Sequence, residues 1–236
     1  MDQTLLLLSF GADGWGDEIA WGLLVTVTLA LATLPFGLAL GFFLALAKES
    51  SEPSMRAAAN VYTTIFRGLP ELLTLFIVYY GAQILLQLVI QLFTDSYVEI
   101  NSFIAGMVAL TFVFSSYASE VFQSAFKGIP LGQYEGGHAL GLTRVQTMRL
   151  VIVPQLIRLA LPGLSNLWLA LLKDTALVSI VGLSDILRQA GVAAKVTKEA
   201  FLFYGFACLL YLVLAIISSY GISSIERWTR RGEVRR

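Results

Sequence analysis

Gln133-Tyr134-Glu135-Gly136-Gly137-His138-Ala139-Leu140-Gly141, continuing through Thr143-Arg144-Val145-Gln146 to Val151-Ile152-Val153-Pro154, is a polar, glycine-punctuated stretch set among long apolar runs. Gly141 is a natural helix stop, because glycine enters the left-handed conformation past a helix C-terminus without a Cβ clash. Thr143 and Gln146 have the spacing of a capping box, in which hydroxyl and amide satisfy each other's backbone N–H groups. Pro154 lacks an amide hydrogen and its ring opposes the preceding turn, so a break or kink is expected there. The local chemistry is that of a helix–turn–helix offering one carboxylate, Glu135. An ordinary connecting loop is the competing reading at this level.

The rest of the chain gives that stretch its setting. Of 236 residues, 57% are hydrophobic and 14% charged, and the mean hydropathy is +0.75. Soluble domains carry about 25% charged residues. The composition is that of an all-α integral membrane protein with one apolar bundle. The single Cys208 and single His138 exclude a disulfide framework and a Cys/His metal cluster. The N-terminus is acidic (Asp2, Asp13, Asp17, Glu18) and lacks the cationic start of a cleaved signal, so none is expected.

About 20 apolar residues span a bilayer, and five stretches qualify: about 19–47, 68–93, 102–126, 159–183 and 201–225. They frame an N-terminal segment 1–18, a membrane domain 19–225 and a basic tail 226–236. Gly37 and Gly41 in the first span form a small-xxx-small pair that permits close helix packing. Basic residues favour cytoplasmic loops. With the N-terminus outside and the C-terminus inside, twelve Lys and Arg fall on the cytoplasmic side. Only Arg188, Lys195 and Lys198 fall outside. The segment 131–154 then faces the cytoplasm.

The spans carry polar seams. Gln83, Gln87 and Gln91 recur every four residues after Tyr79; Thr111, Ser115 and Ser119 do the same, flanked by Ser116 and Glu120. Asn166 and Lys173 share a face seven residues apart. Such groups face protein or a wet cavity, because lipid cannot solvate them. For the amides and hydroxyls, a path lining and plain interhelical bonding weigh equally. For Glu71, Glu120, Lys173 and Asp174 the cost of a charge in lipid favours function, with an ion pair locking the bundle as the alternative.

The spacing Glu135-Gly136-Gly137, three residues, Gly141, nine residues, Val151-Ile152-Val153-Pro154 resembles the cytoplasmic EAA signature of bacterial ABC-importer permeases. In that signature Glu-Ala-Ala precedes the glycine and Ile-x-Leu-Pro closes it; Gly136 and Gly137 stand where the family has alanines. Phe66-Arg67-Gly68-Leu69-Pro70-Glu71, Tyr117-Ala118-Ser119-Glu120-Val121-Phe122 and Leu171-Leu172-Lys173-Asp174-Thr175-Ala176-Leu177 are similar to segments of the polar amino acid branch. The chain looks most like the Q-type permeases of histidine/lysine/arginine and opine (octopine, nopaline) importers. Phe10-Gly11-Ala12-Asp13-Gly14-Trp15-Gly16-Asp17-Glu18 is most like the opine members.

The resemblance implies a type I ABC-importer transmembrane fold in the bacterial inner membrane, with the EAA segment as a coupling helix seated in an ATPase. It implies a second permease chain (an M-type partner or another copy), two ATPase subunits and a periplasmic solute-binding protein. No Gly-x-x-x-x-Gly-Lys-Ser/Thr loop occurs in the chain, so ATP and Mg belong to the partner ATPase and no cofactor is expected here. No nucleic-acid partner and no catalytic residues are expected. Coupling residues are Glu135, Gly136, Gly137, Gly141 and Pro154. The two inserted glycines are expected to loosen the coupling helix by about 1 kcal/mol each relative to alanine. Substrate-path candidates for an amino acid or opine are Glu71, Thr111, Ser115, Ser116, Tyr117, Glu120, Asn166 and Trp168, while Arg67, Lys173 and Asp174 are structural or gating candidates. The competing functional reading, an ATP-independent channel or ion-coupled carrier, accounts for the polar seams but gives no role to the coupling signature.

Overall fold

The computed structural model describes residues 6–11, 13–94 and 97–229. Asp2, Ala12, Asp95 and the tail arginines Arg230, Arg231, Arg235 and Arg236 lie outside them. Among the described residues the fold is entirely helical. The helices are α1 (Gly16–Lys48), α2 (Pro53–Gly68), α3 (Glu71–Gln91), α4 (Ser102–Lys127), α5 (Leu131–Ala139), α6 (Arg144–Thr147), α7 (Val153–Asp174), α8 (Ile186–Thr197) and α9 (Ala200–Thr229). A π-helical turn, Met148–Ile152, joins α6 to α7, and a 3-10 segment, Thr175–Val181, extends α7. Five helical runs among the described residues are long and apolar enough to cross a membrane: Gly16–Lys48, Glu71–Gln91, Ser102–Lys127, Arg144–Val181 and Ala200–Arg227. Their outward faces carry large apolar side chains such as Phe36, Phe43, Ile77, Leu85 and Phe201, as a lipid solvent requires.

Helix α4 is the central post. It packs along α1, with α2, α3 and α7 against its remaining faces. The small pair on α1 makes that approach possible: a Cβ on Gly37 would lie 2.5 Å from Phe114, and one on Gly41 would lie 2.8 Å from the Ala118 methyl and 3.1 Å from the Ser115 carbonyl. The serine seam of α4 is therefore buried in helix packing. Ser116 donates to the Val113 carbonyl (2.7 Å) and Ser119 to the Ser116 carbonyl (2.8 Å).

Two expectations change. Pro154 does not break the helix: the helical run is continuous from Arg144 to Val181 and starts well ahead of the apolar stretch read from 159. The π turn explains the continuity. The Val153 amide bonds the Met148 carbonyl five residues back, and the widened turn accommodates a proline ring that a regular α turn would meet at the carbonyl of residue 150. The second change is α2, which fills most of the gap between the first two apolar stretches, 19–47 and 68–93. Pro53 starts it at a position where no amide is needed, and its length and composition do not make it a span. Its Tyr62 hydroxyl donates to the Phe112 carbonyl (3.2 Å) and lies 2.9 Å from Ser115 Oγ, docking α2 on α4.

Asp185 caps α8, accepting from the Arg188 amide at 2.9 Å, and is fully buried beside α1, whose Thr26 hydroxyl accepts from the Ile186 amide. Burial pushes the Asp185 carboxyl from its ordinary value near 3.8 up to about 6, against the opposing pull of the backbone amides. The folded state therefore holds this proton to higher pH than the unfolded chain. Its stabilising contribution is complete below pH 3.8 and is lost as pH rises through about 6. The difference between the two values corresponds to about 3 kcal/mol. Asp185→Asn keeps the cap without the charge. Its thermal midpoint is expected to exceed wild type at pH 7 and to match it near pH 4; an equal deficit at both values would contradict the assignment.

Candidate functional site: a coupling hairpin and an acidic cavity

The coupling hairpin is built from short-range rules. α5 ends at Ala139, Gly141 takes φ +77°, and the capping box closes: the Gln146 amide donates to Thr143 Oγ1 (3.3 Å) while the Thr143 amide donates to Gln146 Oε1 (2.9 Å). Gln155 Nε2 donates to Gln133 Oε1 (3.0 Å), tying α5 to α7. Tyr134 of α5 and Leu46 and Glu49 at the end of α1 line one pocket, and burial, then the Glu49 carboxylate, raise the Tyr134 phenol above its ordinary value. Glu135 is exposed on this hairpin, and Leu131, Leu140 and Val145 project beside it with 76%, 81% and 76% exposure. An exposed carboxylate and three exposed apolar side chains on one hairpin are suited to docking.

The two glycines of the motif are not equivalent. A Cβ on Gly136 would meet nothing within 4 Å, whereas one on Gly137 would lie 2.5 Å from Thr147 Cγ2 and 2.7 Å from its Oγ1. Gly136 only loosens the helix; Gly137 lets α5 seat on α6. Thr147 is buried and β-branched, so it has little room to turn aside. Gly136→Ala is expected to stabilise the purified protein by about 0.5–1 kcal/mol. Gly137→Ala is expected to lower its melting temperature, and Thr147→Ala in the same chain to restore it. Equal stabilisation by both alanines would remove the seating role.

In the membrane the sequence candidates separate into two groups. Glu120 is held by Lys48 Nζ at 2.6 Å and by an Arg67 guanidinium nitrogen at 2.9 Å, and Lys48 also donates to Ser119 Oγ at 3.3 Å. Lys48, one of the twelve basic residues counted on the cytoplasmic side, has only 2% of its side chain exposed. Its position in the last turn of an apolar helix carried no sign of a partner on α4. Arg67 also lies 5.8 Å above the Tyr117 ring, a cation–π contact. Glu120 thus joins α1, α2 and α4 in one charge cluster.

Glu71, Tyr117 and Asp174 instead line a cavity of about 130 Å³ between α3, α4 and α7, walled by Leu75, Val113, Phe114, Leu171 and Leu177. The Asp174 and Glu71 carboxyls interact across it. Thr111, Ser115 and Ser116 are buried and do not line this cavity. Trp168 packs half-buried against the core, and Asn166 and Lys173 are exposed on α7, with the Lys173 ammonium near enough to Asp174 to attract its charge. The structure brings together Glu71, Tyr117 and Asp174, and separately Lys48, Arg67 and Glu120, with Arg67 over Tyr117 linking the groups.

Residues 37–230 match the model of the binding-protein-dependent transport system inner membrane component family. The chain belongs to that family. It is a multi-pass permease subunit of the bacterial inner membrane, and ATP hydrolysis is the work of a separate ATPase. The permease is 40% identical over 232 residues to the nopaline transport system permease protein NocQ of Agrobacterium fabrum, covering 98% of each chain. It is 39% identical to the arginine ABC transporter permease protein ArtQ of Haemophilus influenzae, covering 88% of this chain and 91% of the relative. It is 36% identical to the histidine/lysine/arginine/ornithine transport system permease protein HisQ of Salmonella typhimurium, covering 91% and 94%. The crystal structure of an amino acid ABC transporter with histidines superposes with TM-score 0.77 at 32% identity, over 90% of this chain and 94% of that one. An inward-facing MetNI methionine ABC transporter shares the fold at TM-score 0.75 and 17% identity, over 91% and 97%.

Proposed function

We propose that this permease carries a polar amino acid with a cationic group, of the arginine, histidine or opine kind, from a periplasmic binding protein into the cytoplasm. The cavity supports this reading most directly. Glu71 and Asp174 put two carboxyls into it with a tyrosine face beside them and no cation among its lining residues. Carboxylates bind a guanidinium through paired hydrogen bonds, and an aromatic face adds attraction for the same charge. The relatives named for nopaline, arginine and histidine/lysine/arginine/ornithine transport have substrates of this chemistry. In proteoliposomes holding the assembled importer, Glu71→Gln is expected to lower the apparent affinity for L-arginine about tenfold, the cost of one charge-assisted pair. Unchanged affinity in Glu71→Gln and Asp174→Asn would remove the cavity from the substrate path.

The hairpin α5–α6 is the lever in this reading, seated in the ATPase by Glu135, Leu140 and Gly141, with the C-terminus on the same cytoplasmic side. The excess of basic residues on that side supports the orientation. A second permease chain completes the path, and the exposed Asn166 and Lys173 of α7 form the polar face offered to it. Alternating access then follows from differential ATPase and substrate affinity for two arrangements of the spans. Gly141 has positive φ and open space at its Cβ, so Gly141→Trp strains the turn and projects an indole into the docking surface. The variant is expected to insert and to lose both uptake and stimulated ATP turnover. Turnover like wild type would dismiss the lever.

A further inference from the structure

We propose that the permease holds a second amino-acid site at the end of the bundle remote from the coupling hairpin, a loading site in line with the central cavity. The site is a cleft of about 410 Å³ lined by Tyr79, Tyr80, Gln83, Tyr97, Glu99 and Arg188 over the backbone of residues 180–182. Its place follows from α4. Ser102, the first residue of α4, donates to the Val181 carbonyl at 2.9 Å, whereas the coupling hairpin follows Lys127 at the other end. The 26 residues between those ends span about 39 Å.

The cleft is organised around one side chain. Gln83 Nε2 donates to the Val98 carbonyl and its Oε1 accepts from the Ile100 amide, each at 2.8 Å. Those two bonds fix the strand of backbone that carries Glu99 against α3. Across the cleft, Arg188 Nη1 donates to the Ser179 carbonyl at 3.2 Å. That bond anchors the guanidinium and leaves the other donors of its fork without a partner among the described residues. Glu99 has no hydrogen bond or ion pair among those residues either, and Arg188 and Glu99 do not pair with each other. A cation and an anion therefore face one cleft with their charges unspent. Tyr79 and Tyr80 meet edge to face at 5.2 Å and, with Tyr97, supply aromatic wall.

This is the complement of an amino acid zwitterion. Its carboxylate suits the Arg188 fork, and its ammonium or cationic side chain suits Glu99 and the tyrosine faces. The central cavity has two carboxyls and no cation among its lining residues, so the two sites differ in chemistry: the outer one recognises both ends of the ligand, the inner one its positive charge. They are also aligned along one helix. Glu71, Leu75, Tyr79 and Gln83 lie at four-residue steps on one face of α3, leading from cavity to cleft over about 18 Å. The 3-10 segment forms the facing wall of both, through Leu177 inside and residues 180–182 outside. Leu75 and Tyr79, with 2% and 9% exposure, close the way between.

The inference rests on the reading that the permease carries a cationic amino acid, and the test separates the two. Radiolabelled L-arginine is titrated onto the purified complex without binding protein, with arginine counted per copy of this chain. Arg188→Gln and Glu99→Gln are each expected to weaken one class of sites about tenfold and leave a second intact, while Glu71→Gln does the reverse. Wild-type titrations from both outer variants, with the Glu71→Gln loss present, would overturn the loading site and leave the substrate reading standing. Absence of L-arginine binding in the wild type would overturn both. Unaltered arginine counts with lost retention of the binding protein in the outer variants would overturn the loading site in favour of a protein-docking surface.

Discussion

The close approach of α1 to α4 at Gly37 and Gly41 is the contact on which the rest of the bundle depends. Lipid tails offer no hydrophobic gain for bringing helices together, so association relies on backbone proximity and packing. With no side chain on either glycine, α1 sits directly on Phe114, Ser115 and Ala118. That contact buries the α4 hydroxyls, which satisfy themselves on carbonyls one turn back. It also brings the last turn of α1 down beside Ser119 and Glu120, where Lys48 finds its acceptors. The ion pair is a consequence of the helix contact, since a lysine in an apolar bundle is tolerable only where a neighbouring helix supplies a counter-charge.

Charge balance then assigns roles to the intramembrane acids. Glu120 has two cations within 2.9 Å, so its charge is matched with a surplus and little of it remains to attract a ligand. Glu71 and Asp174 have each other, and two carboxyls facing one cavity repel. The repulsion is relieved when the two share one proton in a hydrogen bond, by the nearby Lys173, or by an arriving cation. The Arg67–Tyr117 contact connects the two clusters: a rearrangement at Glu120 alters the wall of the cavity through one shared side chain.

Much of the hairpin was legible in the chain, because its rules act over three to five residues. The left-handed turn at Gly141 and the Thr143–Gln146 box both formed at the positions their side chains dictate. Gly136 and Gly137 looked alike as helix-weakening residues. Only the neighbour, Thr147, distinguishes them, and the chain between Gly137 and Thr147 decides which of the two it touches. Pro154 likewise announces a disturbed hydrogen bond without saying how it is relieved; the π turn ahead of it relieves it without a break.

By itself the sequence determined the membrane class, five long apolar runs, the turn and cap of the hairpin and the family, since hydropathy, capping and motif spacing are properties of contiguous residues. Tertiary structure alone decided which polar groups are spent and which are available. Lys48 and Glu120 are 72 residues apart, and nothing local marks either as the other's partner. The serines, read equally as path or packing, became packing once α1 covered them, and Glu71 and Asp174 became cavity acids once α3 and α7 met across α4. The physical reason is the same in each case: the energy of a buried charge is set by what lies within a few ångströms, and in this bundle those neighbours come from other helices.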